Sequence, residues 1–396
     1  MRILYVTSHV PWPATYGGPI RTTKTIEYLS KKHEVMVAIL NTSYEPIKLH
    51  SESTTQSFKV IIIPETPLDL LNMIRRFTVA AQFRSSLRPH LRCRSSKAFH
   101  EMIKEIKPDL IWYRHASTLW RTGPPPNIPS VFDMDDLESS KYERRTESAR
   151  GITRLLMQTD IGRFFLEQAK VASWCDVSLL ANPEDIKKLE NANNIMAYPN
   201  GFDFPEQCNS ISRHSDRILF YGNLKYWPNS DGIQWFCDNV WLKIIEQYPN
   251  TKLDIVGSYN TELNRLKRIT NVKLHGFVPD LSPFISNSAF TIVPLRVGGG
   301  TRIKIIEAWA KGLPVVSTTV GCEGLDAKDN ETLLIADTPD DLAKKCLQLL
   351  KNPEQGEDLS RRAFKHGKDS FDWTIIFPII DEVVNQAQHH NTLRNE

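Results

Sequence analysis

The chain has 396 residues, 41% apolar and 24% charged, which is more than one ordinary core holds and enough for two domains. Lys and Arg number 49 against 46 Asp and Glu, a net charge of +3, so no global electrostatic drive toward nucleic acid exists. The six cysteines (Cys93, Cys175, Cys208, Cys237, Cys322, Cys346) form no CxxC pair and no zinc spacing. They fit reduced thiols in a cytoplasmic protein, and neither a secretory signal nor a bilayer-spanning segment is expected.

Short β-branched runs alternate with helical patterns, as in a parallel sheet with crossover helices. Residues 3–6 read as a buried strand, followed by a turn-rich loop at 11–19 and a helix to about Lys32. Further strands are predicted at 34–40, 59–63, 110–113, 130–134, 177–180 and 195–198. Phe99, Met102, Ile103 and Ile106 fall on one face of an amphipathic helix. Residues 203–216 are polar, carry no apolar period and read as a linker. The alternation then restarts, with strands predicted at 217–221, 252–256, 272–274, 290–293 and 314–317. Thr338 followed by Pro339 reads as an N-cap and first helical residue. The expected architecture is α/β: two doubly wound, Rossmann-like domains facing each other across a cleft. The first covers 1–203 and is completed by a C-terminal helix at 372–390; the second covers 204–371.

The most telling stretch is Gly298-Gly299-Gly300-Thr301-Arg302-Ile303-Lys304-Ile305-Ile306-Glu307. Glycines let a backbone approach a ligand closely, and the first amides of a helix are unsatisfied donors at its positive end. Cations are unfavourable at a helix N-terminus, so Arg302 and Lys304 there point to a bound anion such as a diphosphate. Glu307 is placed to accept hydrogen bonds from sugar hydroxyls, or alternatively to pair with Lys311 at i+4.

Several segments in this order and spacing resemble the retaining glycosyltransferases of family 4, which have the GT-B fold. They are the Gly17-Gly18 loop, Pro199 to Asp203, Phe220 to Leu224, Val256-Gly257, His275 to Val278 and Gly298 to Gly324. The resemblance implies a sugar transfer from a nucleotide-diphosphate donor of UDP or GDP type to a saccharide or lipid-linked glycan, with retention and without cofactor or metal. It implies donor contacts from Gly17, Gly18, Asn223, Gly298, Gly299, Gly300 and Thr301, and catalytic roles for His115, Arg302, Lys304 and Glu307. Asp135 is a lesser candidate for a sugar or acceptor contact, while Asn200 and Gly201 shape the hinge. The chain departs from the family in two places: Gly299 stands where a first glutamate is usual, and no Arg follows residues 217–221. Arg302 and Lys304 are expected to compensate.

Asp133-Met134-Asp135-Asp136 has the letters of a metal motif, but carboxylates ending a strand are expected to be solvated or to cap the next helix. Trp227 and Asn229 are open between nucleotide contact and a core or capping role. The stretch from Arg75 to Lys97 holds seven cations and no acid, interleaved with Phe77, Val79, Phe83, Leu87 and Leu91. It fits a surface for anionic lipid headgroups on the inner face of the cell membrane, or a solvated basic helix face. A nucleotide-sugar epimerase and a non-catalytic sugar-nucleotide-binding protein are the competing functions.

Overall fold

A computed structural model describes residues 1–12, 17–41, 58–64, 95–148, 151–189, 194–208, 215–298 and 302–395. The chain divides into two units, Met1–Asn200 with Ile376–Glu396, and Gly201–Ile375.

The first unit is built on seven parallel strands: β1 (Arg2–Thr7), β2 (Glu34–Asn41), β3 (Phe58–Pro64), β4 (Leu110–Arg114), β5 (Ser130–Asp135), β6 (Val177–Leu180) and β7 (Ile195–Ala197). Their order is β3-β2-β1-β4-β5-β6-β7. Helices cover both faces of such a sheet, so its strands are nearly continuous apolar runs. Alternation divides the two faces. Leu4, Val6, Met36, Ala38, Ile111, Tyr113 and Phe132 join Phe99 and Ile103 of the helix Ser95–Ile106 in one core. The intervening Tyr5 and Trp112 stack on each other at 6.2 Å. The last helix, Trp373–Asn395, adds Ile380, Val383 and Ala387 to the buried interior. Its Phe377 stacks on Tyr28 at 4.6 Å, and its Asp381 accepts hydrogen bonds from Tyr28 Oη and Lys32 Nζ, both at 2.6 Å.

Six parallel strands form the second unit: β8 (Arg217–Tyr221), β9 (Lys252–Val256), β10 (Val272–Gly276), β11 (Phe290–Val293), β12 (Val315–Ser317) and β13 (Leu334–Ile335). The order is β10-β9-β8-β11-β12-β13. Ile218, Phe220, Leu253, Ile255, Phe290 and Ile292 face one core, and Leu219, Tyr221, Val256, Val293 and Val315 face the other. The helix Pro339–Lys351 is capped as its sequence requires, with the Thr338 side chain accepting from the Asp341 amide.

Both sheets reverse their order once, between β1 and β4 and between β8 and β11. In open α/β sheets, ligands bind outside the carboxyl ends of the strands at such a reversal. Among the described residues, no helix is long and apolar enough to cross a membrane. One local expectation changes: Gly17 and Gly18 belong to the first turn of the helix Gly17–Ser30, not to the preceding loop, because Pro19 suits a first turn, where no amide partner is needed. The basic positions Arg75, Arg76, Arg84, Arg88, Arg92 and Arg94 lie outside the described residues.

Candidate functional site

In the second unit, the chain leaves β8 through Gly222 and Asn223 and enters the helix Trp227–Asn239. Leaving β11, it passes Gly298 and begins the helix Ile303–Ala310, with Arg302 in the cap position. The strand reversal therefore brings Lys304 to the end of β8. Lys304 Nζ donates to Asn229 Oδ1 at 2.7 Å and lies 5.1 Å from the centre of the Phe220 ring. A Cβ on Gly222, whose φ is +146°, would stand 2.9 Å from that ammonium, so only a glycine leaves the approach open. The Lys304 carbonyl accepts from Tyr221 Oη at 2.6 Å, which ties the helix start to β8.

Arg302 is buried, and its Nη2 and Nε donate to the Val320 carbonyl at 3.2 and 3.4 Å. A Cβ on Gly298 would come within 2.9 Å of Arg302 Nη2. Glu307 follows less than one turn after Lys304 and pairs with Lys311 at 3.3 Å, the i+4 alternative anticipated above. Burial of the carboxyl raises its pKa, against the pull of Lys311 and Lys304. Burial and the neighbouring Arg302 charge lower the Lys304 pKa to about 7, while Glu307 opposes them. Two cations and one carboxyl group thus converge where a helix start already carries partial positive charge.

Asn223 is exposed, and its side-chain oxygen accepts from the Lys225 amide at 3.0 Å. Trp227 opens its helix and is 45% exposed, whereas Asn229 is buried in the first turn and holds Lys304. Gly299, Gly300 and Thr301 lie outside the described residues.

The first unit presents a second group at the ends of β1, β4 and β5. His115 follows β4 with φ 67° and caps the helix Ala116–Thr122; its amide donates to the Asp133 carbonyl at 2.9 Å. Its ring meets His9, which follows β1, edge to face at 5.6 Å. Asp135 ends β5 at an irregularity in the β5–β6 register, also with φ 67°. Its two oxygens accept from Arg114 Nη2 at 2.7 Å and Asn200 Nδ2 at 3.0 Å. Burial alone would raise its pKa; Arg114, Arg21 and His115 overcome that and hold it well below the usual carboxylate range. Non-glycine residues with positive φ cost free energy and concentrate at functional sites.

The expectation of solvated or capping carboxylates at 133–136 is corrected here. Asp133 is fully buried and receives Arg21 Nη2 at 2.8 Å and Nε at 3.0 Å, with Arg114 Nη1 at 3.4 Å. Arg21 also donates to the Tyr198 carbonyl at 2.7 Å and lies 4.0 Å above that ring. A charge inside a parallel strand needs a partner, and Arg114 stands directly across from Asp133 in the β4–β5 register. The signal was present in the sequence: an Arg at the end of one apolar strand, and Asp residues two apart on the next. Arg21 and Arg114 were missed because nothing in their local spacing shows what they face, and for the same reason Asn229 stayed open between nucleotide contact and a core or capping role. Among the described residues, no group of three or more His, Cys, Asp or Glu could hold a metal ion.

Residues 215–352, all within the second unit, match the family described as glycosyl transferases group 1. An uncharacterized 44.6 kDa protein from the cps region of Klebsiella pneumoniae is 25% identical over 185 residues; the match covers 44% of this chain and about half, 48%, of that protein. Sucrose-phosphate synthase from Thermosynechococcus elongatus is similar in structure, with a TM-score of 0.71 at 17% identity, covering 97% of this chain and 98% of that one. Anabaena HepE, solved in complex with UDP-glucose, gives 0.66 at 15% identity, covering 97% and 99%. Two parallel-sheet α/β units with these neighbours make the fold GT-B.

Proposed function

We propose that the chain is a retaining glycosyltransferase of the family 4 type, moving a sugar from a UDP- or GDP-activated donor to a saccharide or lipid-linked glycan. The observation that carries this reading is the convergence of Arg302, Lys304 and Glu307 at the strand reversal of the second unit, within the stretch that matches glycosyl transferases group 1. Departure of the nucleotide builds negative charge on the diphosphate, and fixed cations lower the barrier by stabilising it as it forms. Arg302 and Lys304 supply two positive charges there without a metal. Glu307 accepts from donor hydroxyls through the oxygen that Lys311 leaves available. In the retaining step, the acceptor's proton passes to the departing phosphate, so no enzymatic nucleophile is needed. His115 and Asp135 bind sugar or acceptor hydroxyls in the first unit.

The cps-region relative supports a role in building a surface polysaccharide. The site of action is the cytoplasmic face of the membrane, with the segment from Arg75 to Lys97 as its anionic-lipid contact. Radiolabelled UDP- and GDP-sugars incubated with the protein and a membrane glycolipid extract test the reading. Label should move to the glycolipid with the anomeric configuration of the donor. An epimerised donor without acceptor, or saturable donor binding without turnover, would replace it with one of the two competing functions.

A further inference from the structure

A half-buried lysine of the second unit has an unusual partner. A lysine drawn into a folded interior is ordinarily paired with a carboxylate, because an uncompensated buried charge is costly. Lys304 is instead hydrogen-bonded to a neutral amide, and among the described residues it has no ion pair. The amide is itself fixed: Asn229 is 7% exposed, and its Nδ2 donates to the Asn223 carbonyl at 2.8 Å, which turns Oδ1 toward the ammonium. We propose that Asn229 is a positioning residue that holds the Lys304 ammonium at the end of β8 while leaving its charge uncompensated for an incoming nucleoside diphosphate.

The surrounding charges agree with that assignment, which rests on the donor-site reading above. Arg302 and Glu307 act on Lys304 from its own segment, and Glu307 is engaged with Lys311. From β8 come the apolar Phe220 ring and the Tyr221 hydroxyl, the latter bonded to the Lys304 carbonyl. On the helix that carries Asn229, Asp231 is paired with Arg296 at 2.6 Å. A carboxylate at position 229 would neutralise the ammonium and repel a diphosphate; the amide orients without doing either. With its pKa near 7, Lys304 is largely neutral in the free protein above that pH. A bound diphosphate stabilises the charged form, so binding above neutrality takes up a proton.

Isothermal titration calorimetry with UDP and GDP, using the full chain in buffers of different ionisation enthalpy, tests this. Between about pH 7 and about pH 9, wild-type affinity should fall by up to about tenfold per pH unit, with close to one proton taken up per diphosphate. Asn229→Asp should bind at least about tenfold more weakly near pH 7 and lose most of the pH dependence, because its lysine stays charged. A merely structural Asn229 would instead lower affinity equally at both pH values, and that result overturns the assignment. Lys304→Met, which keeps residue 229 as asparagine but removes the donor to its Oδ1, should abolish proton uptake even if the Asn229 variants fail to fold; persistent uptake overturns the proposal. Absence of diphosphate binding by the wild type would overturn the donor-site reading, and the assignment with it. Wild-type binding with an unaltered Asn229→Asp profile would remove the assignment alone.

Discussion

Each unit buries cations at the carboxyl ends of its strands, but the two do so in opposite ways. In the first, Arg21 and Arg114 share Asp133 and Asp135, and guanidinium and carboxylate meet at 2.7–3.0 Å. In the second, Lys304 donates to an amide and lies over the Phe220 ring, and among the described residues it has no ion pair although Glu307 follows less than one turn later. A compensated network fixes backbone: it holds β4, β5, the Gly17–Ser30 helix and the segment at Tyr198 and Asn200 in one arrangement. An uncompensated cation gains its partner only when a ligand arrives. The cations are fully buried in the first unit and Lys304 is half-buried in the second, and the partner decides between a structural and a binding role.

Five substitutions break or sharpen that contrast. The largest effect is expected for Asp133→Ala, which takes from the buried Arg21 its hydrogen-bonded carboxylate and leaves Arg114 with Asp135, and should cost about 3–5 kcal/mol in urea unfolding; a loss under about 1 kcal/mol would mean that the network is not structural. Next, Arg302→Ala and Lys304→Ala should each slow sugar transfer by about 10²–10³-fold, a loss of stabilisation for the developing diphosphate charge. Circular dichroism melts should show that neither variant is unfolded, and near-normal transfer rates in both would overturn the assignment.

Smaller and opposite in sign is the effect of Lys304→Met on stability near pH 7, where replacing a half-buried charge that has no ion-pair partner among the described residues should gain about 1–3 kcal/mol. The pH dependence follows from the depressed Lys304 value of about 7. Between there and the unfolded lysine value of about 10.4, the unfolded chain binds the extra proton. The lysine's contribution therefore makes the wild type more stable as pH rises across that window, and the methionine variant should lack this slope in denaturant titrations. Smallest is Glu307→Gln, expected to weaken donor-sugar binding about fivefold while changing stability by no more than about 0.5 kcal/mol, because its partner Lys311 is a partly exposed i+4 neighbour. Unchanged donor affinity in fluorescence titration would leave Glu307 as a surface ion pair only.

The sheets were legible in the sequence because a parallel strand covered on both faces must be apolar throughout. Runs such as those at 217–221 and 177–180 leave no other assignment within an alternating pattern. The strand at Leu334–Ile335 was not anticipated, since two apolar residues form no pattern and pair only because β12 is already in place. Of the candidate site, the cations and Glu307 could be seen because they sit within ten residues of three glycines. Asn229 was seen too, but its role stayed open between nucleotide contact and a core or capping role, because its partner is 75 residues away. The same distance problem concealed Arg21, whose carboxylate lies 112 residues further on.

The closing helix has a consequence for the order of synthesis. Residues Ile376–Glu396 belong to the unit that the chain begins, not to the one it has just finished. As the chain leaves the ribosome, the aromatic face of Tyr28 and the ammonium of Lys32 wait for Phe377 and Asp381 until the whole second unit has emerged. The two pieces of the first unit are therefore made on either side of the second, and its core closes only after the second has been made.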